Sequence, residues 1–285
     1  MNTVLERIFA GFQYILPQHA LSRIVYALMR CEVKWVKNLL IHLISSIAGI
    51  NINEARSPDP ADYACFNAWF TRELKPGARS FDTDPVSFLS PCDGRISETG
   101  KLVENRILQA KGKDYSLQDL LADDPVCAQL VDGFFSTIYL SPRDYHRIHM
   151  PVTGQLQRMI HVPGRLFSVA PYTARQVPRL FARNERVICI FETDSGPLVM
   201  VLVGAMLVSS TETVWAGEVT PTKSKQVTIK DYSEENLSLS KGDEMGRFNM
   251  GSTVILLMPP ETVEGQAGLS AGSAVQVGQK LAMLK

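Results

Sequence analysis

The chain has 285 residues, 45% of them hydrophobic, which is enough for a sizeable core in one large or two small domains and excludes a disordered protein. Its 29 basic and 29 acidic residues cancel, so no whole-protein field recruits nucleic acid, and any membrane preference must come from local patches. Five cysteines, Cys31, Cys65, Cys92, Cys127 and Cys189, are odd in number and lack a CxxC pair, which argues for reduced thiols in a cytosolic compartment rather than a disulfide framework or zinc ribbon.

From Val4 to Ile52 apolar residues recur at helical spacing, and Pro17 predicts a break with one short helix before it and at least one longer helix after it. Over residues 1–56 six basic residues oppose three acidic ones. The longest uncharged stretches, Ile8–Ser22 and Asn38–Asn53, have 15 and 16 residues, short of the roughly 20 that a membrane-spanning helix needs. No compact basic start precedes a single apolar block with a small-residue cleavage site, so a signal peptide is not expected. An apolar face edged by Lys34, Lys37 and Trp35 suits a helix lying among lipid headgroups, and a helical subdomain packed on the core fits the composition equally well.

Residues 57–75 predict a short helical region opened by Ser57-Pro58-Asp59-Pro60, with Phe66, Trp69 and Phe70 as a core stripe. After Pro76-Gly77 the texture changes to short apolar runs: Val86–Leu89, Phe134–Leu140, Val187–Phe191, Leu198–Val208 and Val254–Met258, all expected to be strands. One helix is expected near Ser116–Leu121, capped by the serine. Val219–Lys241, with Lys223, Lys225, Lys230, Asp231, Glu234 and Glu235, reads as an exposed loop or hairpin, and Lys241-Gly242-Asp243-Glu244 as a turn. The expected fold class is α+β: a β-rich, mainly antiparallel catalytic body, residues 57–285, behind a helical N-terminal segment, residues 1–56, for which composition leaves a membrane-surface and a core-packed role equally open.

Three separated motifs carry potential chemistry. Gly251-Ser252-Thr253-Val254 places a serine at the mouth of a strand, after a glycine whose missing Cβ leaves its own carbonyl open to attack. His146 and His149 lie three apart in Tyr139–Pro151, without the Glu of a His-Glu-x-x-His zinc motif. Ser90-Pro91-Cys92-Asp93-Gly94-Arg95 sets an aspartate in a tight turn. Singly, each is an ordinary turn or structural residue; together, an aspartate can orient an imidazole that takes a serine proton. No Gly-x-Ser-x-Gly elbow surrounds the serine, so a lipase-type hydrolase lacks motif support.

Ser141-Pro142-Arg143-Asp144-Tyr145-His146-Arg147-Ile148-His149-Met150-Pro151, Phe181-Ala182-Arg183-Asn184-Glu185-Arg186-Val187, Glu212-Thr213-Val214-Trp215-Ala216-Gly217, Gly246-Arg247-Phe248 and Gly251-Ser252-Thr253-Val254 closely resemble the phosphatidylserine decarboxylases of the bacterial, membrane-associated type. The resemblance runs from Tyr14-Ile15-Leu16-Pro17 to the strand after Ser252; Met250 departs from the leucine usual before Gly-Ser, a swap conservative in volume. It implies that His149, oriented by Asp93, deprotonates Ser252 for attack on the Gly251 carbonyl. The chain is then cleaved into a large chain, 1–251, and a small chain, 252–285, whose first residue becomes a covalent pyruvoyl group. Through a Schiff base with that group, phosphatidylserine in the membrane would lose CO₂ to give phosphatidylethanolamine, with His146 in substrate positioning or proton transfer and no metal. The implied setting is peripheral, on the cytoplasmic face of the bacterial inner membrane; a homodimer of the processed unit stays open. Two competing expectations are a hydrolase using Ser252 on lipid esters, whose chain stays intact, and a membrane-bound interaction module in which Gly-Ser is only a turn.

Overall fold

The computed structural model describes residues 3–110, 112–207, 210–222, 224–249, 251–265 and 268–285; Val208, Lys223 and Met250, which belong to stretches interpreted above, lie outside the described residues. The strand Thr253–Met258 is buried at every position. It pairs antiparallel with Phe134–Tyr139 on one side and Gly196–Val203 on the other. Its side chains alternate between two cores. Val254, Leu256 and Met258 join Ile138, Leu202 and Phe248, whereas Ile255 and Leu257 join Tyr115, Phe181 and Val201. Both faces of the strand are covered, which is why it reads as an unbroken apolar run instead of an alternating one.

Outward from this strand the sheet runs, in spatial order, Thr228–Asp231, Gly154–Val162, Arg186–Thr193, Gly196–Val203, Thr253–Met258, Phe134–Tyr139, Gly94–Lys101 and Ala274–Val275, every pair antiparallel. A second sheet joins Gly217–Glu218, Thr211–Thr213, Glu244–Phe248 and Arg147–His149; a third joins Ser87–Leu89, Lys280–Leu284 and Val263–Gly265. The expected runs are strands, with ends shifted by a residue or two except that the run expected over Leu198–Val208 ends as a strand at Val203, five residues early. The expected helix is Leu117–Leu121, where Ser116 Oγ accepts from the Asp119 amide at 3.0 Å. Residues 219–241 hold two strands, Thr228–Asp231 and Ser238–Leu239, which pair with the 154–162 strand rather than with each other. That nine-residue strand escaped the sequence pattern because its register shifts between Leu156 and Arg158, which breaks the period-2 alternation.

The N-terminal segment forms α1 (Thr3–Ile15), α2 (Gln18–Met29) and α3 (Lys34–Ala48). The break after Ile15 coincides with Pro17, and α3 ends at Gly49, whose φ of +69° is the left-handed conformation that glycine adopts without strain. A short α4 (Phe66–Phe70) packs Phe66, Trp69 and Phe70 against Met29, Ile41 and Ile50, so the helical layer extends beyond residue 56.

These helices meet the body through polar groups. Glu6 is buried and paired with Arg175 at 2.5 Å, Gln13 Oε1 accepts from the Ser168 amide at 2.8 Å, and Gln18 Oε1 from the Leu166 amide at 2.9 Å. Many of their apolar side chains point the other way, although Ala10, Met29 and Ile41 are buried: Ile8, Phe12 and Ile15 of α1, Ile24 of α2, and Trp35, Leu39, Leu43 and Ile47 of α3 are exposed, Ile47 by 78%. Lys37 corrects one expectation. It does not edge this face; it is buried, and its Nζ donates to the carbonyls of Pro60 and Tyr63, both at 2.8 Å. Among the described residues no helix is long and apolar enough to cross a membrane.

The two kinds of apolar residue should respond differently to truncation. Leu256→Ala should cost about 2–5 kcal/mol in urea unfolding, as a cavity in a doubly covered strand does. Ile8→Ala, on the exposed face, should stay within about 0.5 kcal/mol.

Candidate active site

The central strand fixes where Ser252 sits. Thr253 is paired with both Tyr139 and Val203, and the Leu140 amide donates to the Ser252 carbonyl at 2.8 Å, which places residue 252 between Leu140 and Gly204. Gly204 is held in turn: its amide donates to the Glu185 carbonyl at 2.9 Å and its carbonyl accepts from the buried Asn184 side chain at 2.9 Å. Three of the sequence motifs thus converge on this point, and a fourth arrives with the pairing of Glu212 to Arg247 across neighbouring strands.

Ser252 is fully buried and, among the described residues, its Oγ has no hydrogen-bond partner; the same holds for His146 Nε2. The two orphans are neighbours in the fold. A Cβ added to Gly251 would lie 3.9 Å from His146 Nε2 and 3.6 Å from the Leu140 carbonyl oxygen, so the ring nitrogen lies near Gly251. His146 Nδ1 lies 2.7 Å from the Asp144 carbonyl oxygen, which can only accept. Nδ1 therefore carries the proton and Nε2 the lone pair. Burial, with the Phe70 ring at 4.2 Å, is the main cause that drives the His146 pKa down to about 3, and the ring is neutral at physiological pH.

His149 and Asp93 lie apart from this group. His146 lies just before the Arg147–His149 strand, and the two imidazoles bond to different neighbours. His149 Nδ1 donates to the Gly242 carbonyl at 2.8 Å, and its Nε2 accepts from the Tyr145 hydroxyl at 3.3 Å. Burial lowers its pKa too, opposed by the Gly242 bond and by the charges of Glu244 and Asp93. The Asp93 carboxylate does not make the hydrogen bond to His149 that a triad would have: Arg79 Nε reaches both oxygens at 3.0 and 3.1 Å, Arg79 Nη2 one of them at 2.5 Å, and the Val277 amide donates at 2.9 Å. A guanidinium fork offers several charge-assisted donors where a neutral imidazole offers one. Arg79 also binds Glu54 at 2.8 Å, which ties this carboxylate to the segment following α3. The glycine after Asp93 serves the sheet: a Cβ at Gly94 would stand 2.5 Å from the Tyr139 carbonyl oxygen, so only glycine lets the 94–101 strand approach the 134–139 strand.

Sequence reasoning missed Arg79, Tyr145, Phe70 and the Leu140 amide. Tyr145 lies inside the quoted histidine motif and could have been singled out as a hydroxyl four residues from a histidine; Phe70 was legible only as part of a core stripe, and Arg79 carries no local signal. Among the described residues, no group of three His, Cys, Asp or Glu side chains is placed to hold a metal ion.

An α+β protein that buries a serine, preceded by a half-buried glycine, at the mouth of its central strand and near a neutral imidazole, is the class that fold and site define together. Similarity narrows it further. A family model described as phosphatidylserine decarboxylase matches residues 66–283, and one described as PSD matches residues 8–46. The chain is 50% identical over 280 residues to a phosphatidylserine decarboxylase proenzyme of Pseudomonas putida, covering 97% of this chain and 98% of the relative. It is 52% identical over 266 residues to the proenzyme of the same name from Alkalilimnicola ehrlichii, covering 93% and 92%, and 50% identical over 269 residues to that of Xanthomonas euvesicatoria, covering 94% and 96%. The chain belongs to the phosphatidylserine decarboxylase family.

The buried imidazole makes stability depend on pH. The His146 pKa in the folded chain lies below the value of about 6.5 expected when unfolded, so the unfolded state takes the proton first. Its contribution is complete above pH ~6.5 and is lost as the pH falls toward 3. Urea midpoints of the Ser252→Ala chain should drop between pH 7 and pH 5, and His146→Gln should shrink that drop; an equal drop in both chains would contradict a neutral buried His146.

Proposed function

We propose that this chain is the proenzyme of a pyruvoyl-dependent phosphatidylserine decarboxylase, cleaving itself between Gly251 and Ser252 and converting phosphatidylserine to phosphatidylethanolamine and CO₂. The observation that carries it is the fully buried Ser252, following a partly exposed Gly251, with two unpartnered polar atoms at this point, Ser252 Oγ and His146 Nε2, in a chain about half identical to named proenzymes. Leaving both buried groups unpaired costs folding free energy, as is common where a site is built for chemistry rather than stability.

In maturation, Ser252 Oγ loses its proton and attacks the Gly251 carbonyl carbon. The tetrahedral adduct collapses by breaking the Gly251–Ser252 amide, which leaves an ester between Gly251 and Ser252 Oγ and a free Ser252 amine. Loss of the Ser252 Cα proton then expels the Gly251 carboxylate and gives a dehydroalanine; water hydrolyses its imine tautomer, ammonia leaves, and residue 252 becomes pyruvoyl at the head of the 34-residue chain 252–285. The site fits that group. The Leu140 amide bonds the Ser252 carbonyl, an atom that maturation leaves in place, so residue 252 stays anchored. Once formed, the pyruvoyl supplies the electron sink that a departing carboxylate requires.

His146 and His149 divide the requirements of a base. His146 has the position, but a pKa near 3 makes it a weak proton acceptor. His149 has Glu244 and Asp93 to stabilise its charged form, and we assign it the Ser252 proton in maturation, with Asp93 as the supporting carboxylate. That role requires His149 to leave Tyr145 and turn toward Ser252. His146, fixed by Asp144, positions the substrate or passes a proton to it.

The outward apolar face of α1–α3 supports attachment to the membrane surface, because a diacyl substrate stays in the bilayer and the site must come to it. We place the enzyme peripherally on the cytoplasmic face of the bacterial inner membrane.

Intact-mass measurement tests the central claim: two chains split after Gly251, the smaller one lighter than unmodified 252–285 and blocked to Edman sequencing, are expected, and one unbroken chain in active protein would sink the reading. Ser252→Ala should remain whole, and Asp93→Asn should accumulate precursor. Maturation should also slow on acidification, with a midpoint below 6.5, since a lowered His149 pKa keeps the base neutral until then; a rate that rises as pH falls would remove His149 from the step. Deleting residues 1–50 should abolish sedimentation with anionic vesicles.

A further inference from the structure

Two cavities open at the end of the large sheet where Ser252 lies. One has α2 and Gly204 in its wall, and the other, of about 590 Å³, has α3 and Tyr139. Because Gly204 follows the strand on one side of Thr253 and Tyr139 belongs to the strand on the other, the scissile bond sits between them. The second cavity combines two chemistries. Ile44, Ile47 and Ala48 of α3 give it an apolar wall, and Leu39, Leu43 and Ile47, spaced four apart, carry that wall onto the exposed face of the same helix. Arg95 and Arg143 bring positive charge.

Among the described residues the Arg95 guanidinium has no ion pair, and that of Arg143 has a long one. Arg95 donates to the Gly272 carbonyl at 3.0 Å, a bond that leaves its charge uncompensated. Arg143 is 54% exposed and stands 3.8 Å from Asp144 Oδ1, while Asp144 Oδ2 accepts from the Ser141 amide at 2.7 Å and the Ser141 hydroxyl at 2.6 Å. Two arginines against one aspartate leave one positive charge in the lining. That balance suits a phosphodiester, whose single negative charge is shared by two oxygens a guanidinium fork can grip. Distance agrees: Thr253 pairs with Tyr139 and Tyr139 with Arg95, so Arg95 lies two strand spacings, about 10 Å, from the mouth of the central strand.

Resting on the decarboxylase reading, we propose that this cavity is the headgroup site of the lipid substrate. Arg95 and Arg143 bind its phosphodiester, and Ile44 and Ile47 lie against the glycerol and the first acyl carbons. The serine amine then extends past Tyr139 toward residue 252. In this arrangement α3 both rests on the bilayer and walls the passage out of it.

The test uses the full-length protein with Arg95→Gln, Arg143→Gln and both together, on phosphatidylglycerol vesicles carrying graded phosphatidylserine. Maturation by intact mass and sedimentation with phosphatidylglycerol vesicles should match wild type, while KM for surface phosphatidylserine rises roughly tenfold per arginine, the scale of one charge-assisted hydrogen bond. Soluble glycerophosphoserine should compete with the lipid far better than inorganic phosphate, and the double variant should lose that preference. Sedimentation that falls in step with KM, or equal competition by glycerophosphoserine and inorganic phosphate, would overturn the site in favour of general charge attraction. Unchanged KM with active wild-type protein overturns the site alone, whereas no CO₂ release by matured wild-type protein overturns the decarboxylase reading and the site with it.

Discussion

The antiparallel pairing of Thr253–Met258 with a strand on each side is the constraint on which everything else in this molecule depends. It buries five apolar side chains, Val254 to Met258, in two cores at once, each worth roughly 1.5–3 kcal/mol. It also fixes residue 252 at the last point before the ladder begins. A cut between Gly251 and Ser252 would break none of the pairings from Thr253 onward. The short chain so produced would remain threaded through the centre of the sheet and would keep Val263–Gly265, Ala274–Val275 and Lys280–Leu284 paired as well. A new terminus made in this way is held as firmly as any strand of the body, which is what a covalently derived cofactor at that terminus would need.

The same sheet geometry separates the two histidines. His146, just before the 147–149 strand, is buried near Gly251, whereas His149 lies beside Tyr145, Phe81 and the Gly242 turn. Burial then sets their chemistry. His146, sealed by Phe70 and bonded to a carbonyl, is neutral with its lone pair aimed at the site; His149 retains carboxylates that favour its charged form. Position and basicity are therefore assigned to different residues. If the chain matures as proposed, it would gain from this separation by holding its peptide bond until it has folded, because the best-placed nitrogen is not the best base.

Most of the fold was legible, for a physical reason. Runs such as 187–191 and 254–258 are buried on both faces, and that makes them continuous and unmistakable. The 154–162 strand was missed because a bulge shifts its register, and the 147–149 strand because it hides inside a motif noticed for its histidines. At the site, Ser252, Gly251 and His146 could be found from residue type and neighbours. Arg79 could not, since its partner Asp93 is 14 residues away and its other partner Glu54 is 25 residues away on the far side of α4. The displacement of the expected Asp93–His149 bond follows from that unseen arginine. Lys37 failed similarly: a helical lysine beside apolar residues reads as an interfacial cation, and only the carbonyls of Pro60 and Tyr63 reveal it as a buried tether.

Helices that pack on a body usually bury their apolar stripe and expose the polar one. Here α1 does the reverse, placing Glu6 and Gln13 inward and Ile8, Phe12 and Ile15 outward. The inversion has a cost in water, where an apolar face of this extent favours association. It becomes favourable against a bilayer, which covers the outward face while the polar inner face keeps its hydrogen bonds to Arg175, Ser168 and Leu166. The polar docking also gives direction. Because α2 and α3 each wall a cavity beside Ser252, the surface that would contact lipid and the residue that would become the reactive group lie at the same end of the sheet. A membrane that captures the helices would thereby also present its headgroups to the site.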